Sequence, residues 1–261
     1  MFINWIIQDS LTWMALQNNC NPLITTLQKL NKQFYTCGVI PFEHKITGLE
    51  DVNFSNPSFF YGGILLPILA KEVTSSGIFW EDDWWNPKTW SQNRNDMLNQ
   101  EVSISTIGDL RKNWVKEPTF IKPISVKEFS GMVLEGKEDK LWWDQEHSDL
   151  KDDLKICISP AINIIKEWRF WIVNGKIITG SLYKSYGYLT IKEPVSNEIY
   201  NIANKMSRDW LPSKTIVMDI ALLSNNTYKV VEFNSINSSG FYNADIENFI
   251  LAIEELLLIG K

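Results

Sequence analysis

The sequence is poor in the residues from which most reactive centres are built. Histidine occurs only as His44 and His147, which excludes a His-rich metal centre and leaves little from which to assemble a Ser-His-Asp triad. The cysteines, Cys20, Cys37 and Cys157, are scattered, odd in number and without CxxC spacing. They read as reduced intracellular thiols, not as a disulfide frame or a zinc site. Long hydrophobic runs are missing too: the strongest, from Gly62 to Ala70, contains Pro67 and is too short to span a bilayer. The opening MFINWIIQDS lacks the basic start and long apolar core of a secretion signal, so the expected location is cytoplasmic. Positive charge is outnumbered, with 25 Lys and Arg against 31 Asp and Glu, and no basic stretch stands out. Neither nucleic acid nor membrane is therefore an expected partner. There is no GxxxxGK[ST] loop and no GxGxxG after a strand, so P-loop and Rossmann nucleotide sites are unsupported.

What is present is enough for a large core: 261 residues, 44% of them apolar. Tryptophan is abundant and often paired, as in Trp84-Trp85 and Trp142-Trp143, suiting either buried packing or stacking on a base or sugar. Residues 1–105 alternate strand and helix signals. INWIIQ is a short β run stopped by the helix-capping Asp9-Ser10, and apolar residues then recur at helical spacing from Leu11 to Lys32. QFYTCGVIPF reads as a second strand, and FYGGILLPILAKEV as a loop entering a helix. This β-α-β opening predicts a small α/β domain with a parallel sheet. Residues 80–100 form a polar and aromatic loop leading into a helix, and strand-like pieces flank Pro123. The charged stretch 136–154 is expected to be exposed or helical. Residues 106–261 read as a second domain, whose last part is antiparallel sheet with helices at 194–207, opening with Pro194, and from Asn243 onward. The fold class is α+β.

A hairpin near the end carries the first chemical signal. Thr215–Leu223 and Tyr228–Phe233 are strand-like, and Ser224-Asn225-Asn226-Thr227 between them is turn chemistry. Centring the turn between Asn225 and Asn226 puts Asp219 opposite Glu232 and Val217 opposite Asn234, with Asp219, Glu232 and Asn234 on one face. Like charges facing each other destabilise a sheet. Two readings follow: a solvated acidic edge, or a site for a hard divalent cation such as Mg2+ or Mn2+.

A second hairpin turns at Asn174-Gly175. A uniform register there places Arg169 opposite Gly180, leaving space above the sheet, and puts Glu167, Arg169, Leu182 and Lys184 on one face. Arg169 and Lys184 could then converge on an extended anion such as a triphosphate, or Arg169 could pair with Glu167 or another carboxylate at the surface. Lys122 ends a short apolar strand before Pro123, pointing into a cleft or snorkelling to solvent. Lys127 and the Ser130-Gly131 pair follow, where a phosphate-covering loop would lie.

In order along the chain, a strand ending in Lys122-Pro123, ICISPAI, EWRFWIVNGKII and MDIALL…YKVVEFNS resemble the ATP-grasp superfamily, and WIIQDS, FYGGI and FIKPISVKEFSG look most like its divergent bacterial and phage clade marked by one arginine and two lysines. The resemblance covers most of the chain. It implies an ATP-grasp fold, two α+β subdomains sandwiching ATP, after a small α/β domain. It assigns Lys122, and Lys127 in the lid, to the phosphates, Arg169 and Lys184 to the γ-phosphate or acyl-phosphate, and Asp219, Glu232 and Asn234 to Mg2+. Cys157 and Ile158 would supply backbone groups to adenine, with Ser159 near the ribose. Many ATP-grasp enzymes cover the phosphates with several glycines, whereas ISVKEFSG has only Gly131. The implied activity is that of an ATP- and Mg2+-dependent carboxylate–amine ligase working through an acyl-phosphate, with small-molecule or peptide acids and amines as partners. The rival readings are a phosphotransferase and a nucleotide-binding protein without turnover.

Overall fold

Four strands make the first sheet: β1 (Asn4–Gln8), β2 (Phe34–Ile40), β3 (Lys45–Thr47) and β4 (Ser58–Tyr61), ordered β3-β2-β1-β4. In this structure, a computed structural model that describes residues 2–9, 22–124, 128–191 and 193–259, β1 pairs in parallel with both β2 and β4. The α/β opening expected from the sequence is present. Parallel strands are covered on both faces, which is why β1 is apolar at consecutive positions: Trp5 and Ile7 enter one core and Ile6 the other. Helix α1 (Pro22–Lys29) packs on the Trp5 side through Leu23 and Leu27, and α2 (Leu65–Ala70) on the Ile6 side through Leu66 and Ala70. The beginning of the helical run expected from Leu11 lies outside the described residues.

The aromatic loop leads, as expected, into a helix, α3 (Pro87–Asn93), whose cap is Asn86 accepting from the Lys88 N–H. A second sheet follows: β5 (Ser103–Thr106), β6 (Thr119–Pro123), β7 (Met132–Leu134) and β8 (Lys155–Pro160), antiparallel in the order β5-β8-β6-β7. Helices α4 (Ile107–Lys112) and α5 (Asp139–Glu146) share its core, with Ile107, Leu110 and Trp143 packed among Ile121, Leu134 and Ile156. The charged stretch 136–154 is thus helical at its centre and buries Trp143 completely. The sequence boundary between residues 105 and 106 falls within β5.

The third sheet holds β9 (Ile164–Val173), β10 (Lys176–Ser185), β11 (Tyr188–Leu189), β12 (Ile216–Leu223) and β13 (Tyr228–Asn234), ordered β11-β10-β9-β12-β13. Asn174 and Gly175 carry φ of 50° and 76°, the left-handed pair that a two-residue hairpin turn demands. Helix α6 (Asn197–Met206) starts three residues later than Pro194, because Ser196 supplies the cap by accepting from the Ile199 N–H. The last helix, α7 (Ile246–Ile259), inserts Phe249, Ile250 and Ile253 among Trp5 and Phe59 of the first sheet and Trp171 and Val217 of the third. The first and third sheets therefore share a core, which fixes the N-terminal layer against the face that carries Arg169 and Asp219.

Candidate active site

Three neighbouring strands bring Arg169 on β9, Asp219 on β12 and Glu232 on β13 into one row, and Val217 faces Asn234 as expected. The Asp219–Glu232 pairing arises from two compensating shifts. Close to the turn the strands pair Leu222 with Tyr228 and Ile220 with Val230, one residue away from the predicted register, and a bulge at Val231 restores it.

The other hairpin corrects the sequence reading. Val173 faces Lys176 as predicted, but a bulge at Ile178 puts Arg169 opposite Ser181, and another at Tyr183 puts Glu167 opposite Lys184. Gly180 faces Phe170 instead, and a Cβ there would come within 2.5 Å of the Phe170 ring. The missing side chain makes room for a core ring, not for a ligand. Leu182 lies in the opposite core with Trp168 and Phe170, and Tyr183 joins Glu167, Arg169 and Lys184 in its place.

The charges in this row are matched one against another. Arg169 donates from Nε and a terminal nitrogen to the two oxygens of Asp219 at 2.9 and 2.8 Å, with Asp219 wholly buried. Glu232 is paired with Lys122, which reaches across from β6 of the second sheet. The Asn234 amide bridges the two carboxylates, donating to Glu232 at 3.0 Å and Asp219 at 3.3 Å. Protein cations thus offset the facing carboxylates. Burial favours the neutral form of Glu232, but Lys122 and Asn234 outweigh it and hold the carboxyl down at about 2. Burial likewise opposes the charge on Lys122, and Glu232 overrides it, so the ammonium titrates above its ordinary range. Asp219 is pushed up by burial against the pull of Arg169. Tyr183 donates to Glu167 at 2.7 Å and is driven well above its ordinary value, chiefly by burial. Its ring stacks on that of Tyr242, and the Arg169 guanidinium lies over both, 5.2 and 5.4 Å from their centres. Tyr242 holds a left-handed φ of 54°, a strained backbone fixed beside the charged row.

Lys122, Gly131 and Glu232 are shared by two open chambers. One, about 550 Å3, is lined by Phe120 and Met132 of the second sheet, by Ile164, Glu167, Tyr183 and Lys184 of the third, and by Leu98 ahead of β5. The other, about 570 Å3, runs toward the first sheet and is lined by Trp80, Trp85, Trp90, Arg169, Asn234 and Ser238 among others. Arg169 and Lys184, expected to converge, line different chambers, although both lie over the Tyr183 ring. Lys127 lies outside the described residues. Cys157 sits beside Lys122 on the adjacent strand, where burial pushes its thiol up to about 11. Both edges of β8 are paired at Cys157 and Ile158, with β5 on one side and β6 on the other. Neither residue lines the two chambers. Ser159 is buried and donates to Asn99.

A protein-family model described as an ATP-grasp domain, the second family of its clade, matches residues 97–252, more than half of the chain. The chain belongs to this ATP-grasp family. Its fold resembles D-cycloserine synthetase DcsG at 10% identity, TM-score 0.60, over 98% of this chain and 99% of that one. It also resembles the D-alanine–D-alanine ligase from Coxiella burnetii at 14% identity, TM-score 0.60, over 100% and 96%. A third likeness is to ATP-grasp ligase PsnB complexed with precursor peptide PsnA2 and AMPPNP, at 11% identity, TM-score 0.55, over 99% and 97%. At these identities the likeness is one of fold: α+β, of the ATP-grasp type. No curated protein sequence matches.

For a metal ion, the ATP-grasp chain offers an incomplete but chemically apt donor set. Among the described residues no group of three or more His, Cys, Asp or Glu is placed to hold one. Glu232 and Asn234 line a chamber and present the oxygen donors that a hard cation takes, whereas both oxygens of Asp219 are occupied by Arg169. Two structural features around the chambers were not read from the sequence. Trp80, Trp85 and Trp90 wall the larger chamber; the available signal was an aromatic-rich loop, since loops on a rigid scaffold carry binding sites. Asn237, wholly buried, donates to the Phe60 and Gly77 carbonyls at 2.7 and 2.9 Å and accepts from the Phe79 N–H at 2.8 Å. It ties the Trp80 wall and the first sheet to the end of β13; the second Asn of EFNSIN was its only trace in the sequence.

Proposed function

We propose that this protein is an ATP-dependent ligase that joins a carboxylic acid to an amine through an acyl-phosphate. The observation that carries the reading is the Lys122–Glu232–Asn234–Asp219–Arg169 chain of contacts at the junction of two chambers, within an ATP-grasp fold. In this reading the adenosine occupies the chamber of Leu98, Phe120 and Ile164, and the phosphates run past Lys122 and Gly131 toward Arg169. The cations at the phosphates are Lys122, Arg169 and Lys184, one arginine and two lysines. A carboxylate oxygen attacks the γ-phosphorus, the bond to the β-phosphate oxygen breaks, and ADP leaves. The amine nitrogen then attacks the acyl carbon, phosphate departs, and the amine loses a proton to give the amide.

No protein nucleophile is required, in keeping with a site made of cations, carboxylates and amides. The work of the residues is electrostatic and positional. Lys122 and Arg169 stay charged throughout the neutral range, each held so by its carboxylate partner, and face the charge that builds on the transferring phosphoryl group. Asp219 fixes the plane of the guanidinium by two hydrogen bonds, and the Tyr183 and Tyr242 rings limit its movement. Mg2+ or Mn2+, held by Glu232 and Asn234, would further offset phosphate charge. The apolar side chains of the two chambers, Trp80, Trp85 and Trp90 in one and Leu98, Phe120 and Ile164 in the other, limit the water that reaches the acyl-phosphate.

The test is release of ADP and phosphate with Mg2+ and pooled acids and amines, wild type beside Glu232→Ala. Release that requires both pools and disappears in the variant supports the ligase. Release with the acid pool but no dependence on amine, and no amide product, points to a phosphotransferase. Binding of Mg-ATP without turnover under any pool contradicts the proposal.

A further inference from the structure

The chamber on the first-sheet side has two unlike halves. Its charged groups, Lys122, Arg169 and Glu232, belong to the row described above. Of the uncharged lining, Asn234 and the serines at 130, 235, 238 and 239 are polar, and Trp80, Trp85, Trp90, Ile64 and Phe129 supply an apolar wall. Trp80 and Trp85 pack with ring centres 4.7 Å apart, and Trp90 lies edge-on to Phe233. The indole N–H groups do not serve the chamber. Trp80 donates to Asp82 at 2.9 Å, Trp90 donates to the Trp84 carbonyl at 2.6 Å, and the Trp85 nitrogen is buried with no acceptor among the described residues. What three tryptophans present is ring surface without a hydrogen-bonding group.

A cationic guest would also suit aromatic faces, but this chamber already holds two cations. Lys122 lies 6.0 Å from the Trp90 ring centre, Arg169 lines the same space, and the one lining carboxylate, Glu232, is paired with Lys122. An ammonium seated among the tryptophans would lie beside Lys122, whereas an apolar group there meets ring surface alone. About 570 Å3 is within the roughly 300–1,000 Å3 usual for a small-molecule site. Resting on the ligase reading, we infer that the acid this protein activates carries a bulky apolar side chain, aromatic or branched aliphatic, which Trp80, Trp85 and Trp90 select. Trp85 is the residue to vary, because Trp80 and Trp90 are almost fully buried and also hold the core, whereas Trp85 is only partly buried.

The experiment compares kcat/KM for ADP release across glycine, aspartate, lysine, leucine and phenylalanine, in both enantiomers where they exist, and across their glycyl dipeptides. Leucine- and phenylalanine-type acids are expected to exceed glycine, aspartate and lysine by on the order of 100-fold. Trp85→Ala should lower that ratio about 10-fold, and Trp85→Leu, which keeps an apolar wall, should restore most of it. Equal or better use of the small or charged acids overturns the inference, as does an equal loss for all acids in Trp85→Ala. If no acid stimulates ADP release, the ligase reading has failed, and the pocket is judged by binding alone. Leucine and phenylalanine should then still produce a saturable change in tryptophan emission that Trp85→Ala abolishes and that glycine and aspartate do not cause. Absence of that change overturns the pocket as well.

Discussion

Replacing Arg169 by methionine removes the counter-charge of a carboxylate with no access to solvent. Asp219 is 0% exposed, and Arg169 supplies its two short hydrogen bonds, at 2.8 and 2.9 Å. What would remain is the Asn234 amide at 3.3 Å, because the Tyr183 hydroxyl, also at 3.3 Å, donates its one proton to Glu167 at 2.7 Å. Two charge-assisted hydrogen bonds at roughly 1.5–3 kcal/mol each give about 3–6 kcal/mol. Breaking a buried ion pair by deleting one partner costs about 3–5 kcal/mol by comparison with other proteins. Arg169→Met should therefore lose about 3–5 kcal/mol at pH 7, a large share of the roughly 5–15 kcal/mol of a typical domain.

The sign of the pH dependence follows from Asp219. Burial already pushes its carboxyl up, and losing Arg169 raises it further. The unfolded carboxyl titrates near 3.9, so the cost of holding a lone charge grows as pH rises above about 3.9 and saturates above the raised folded value. Urea denaturation followed by far-ultraviolet circular dichroism should thus show a deficit that is large at pH 7 and small near pH 4. Asp219→Asn in the Arg169→Met background should recover most of it. A deficit below about 1 kcal/mol at pH 7, the same deficit at both pH values, or no recovery in the double variant would refute the reasoning.

Three further outcomes are expected. Asn237→Ala removes a buried amide that makes three hydrogen bonds and leaves the Phe60 and Gly77 carbonyls and the Phe79 N–H without it, for a loss of about 3 kcal/mol in denaturant midpoint analysis. Gly180→Ala drives a Cβ to 2.5 Å from the Phe170 ring and should cost about 1–3 kcal/mol by the same measurement, whereas an open site would tolerate it. Glu232 titrates at about 2 in the folded chain against an ordinary 4.5, so the stability it contributes is present above pH 4.5 and is lost as pH falls toward 2. An acid titration of Glu232→Gln should lack that part of the decline, and Mg-ATP affinity, measured by calorimetry, should fall with it.

The acidic hairpin could be read from the sequence because strand alternation and the Asn225-Asn226 turn both constrain it. The correct pairing of Asp219 with Glu232 nevertheless depended on a bulge at Val231 that cancelled a misplaced turn centre. Where no such cancellation occurred, the register failed: the Asn174-Gly175 turn was legible, but the bulges at Ile178 and Tyr183 were not. A bulge is set by how side chains pack across strands, here by the Phe170 ring over Gly180, and the residue order near the turn does not encode that. The cations Lys122 and Arg169 could be named from residue type and position, but their partners could not, since Lys122 and Glu232 meet only when two sheets face each other. The tryptophan wall was hidden for the same reason. Trp80, Trp85 and Trp90 are indistinguishable in sequence from tryptophans that pack, and Trp80 and Trp90 do pack while also lining the chamber.

The most direct test of the account is to follow oxygen through the reaction. The acid pool is prepared with a heavy-oxygen label in its carboxyl groups and incubated with Mg-ATP, the amine pool and the protein, and the released phosphate is analysed by mass spectrometry. An acyl-phosphate requires that one carboxyl oxygen leave with the phosphate, so the account predicts one labelled oxygen per phosphate formed. Phosphate that carries no label while ADP accumulates would contradict it.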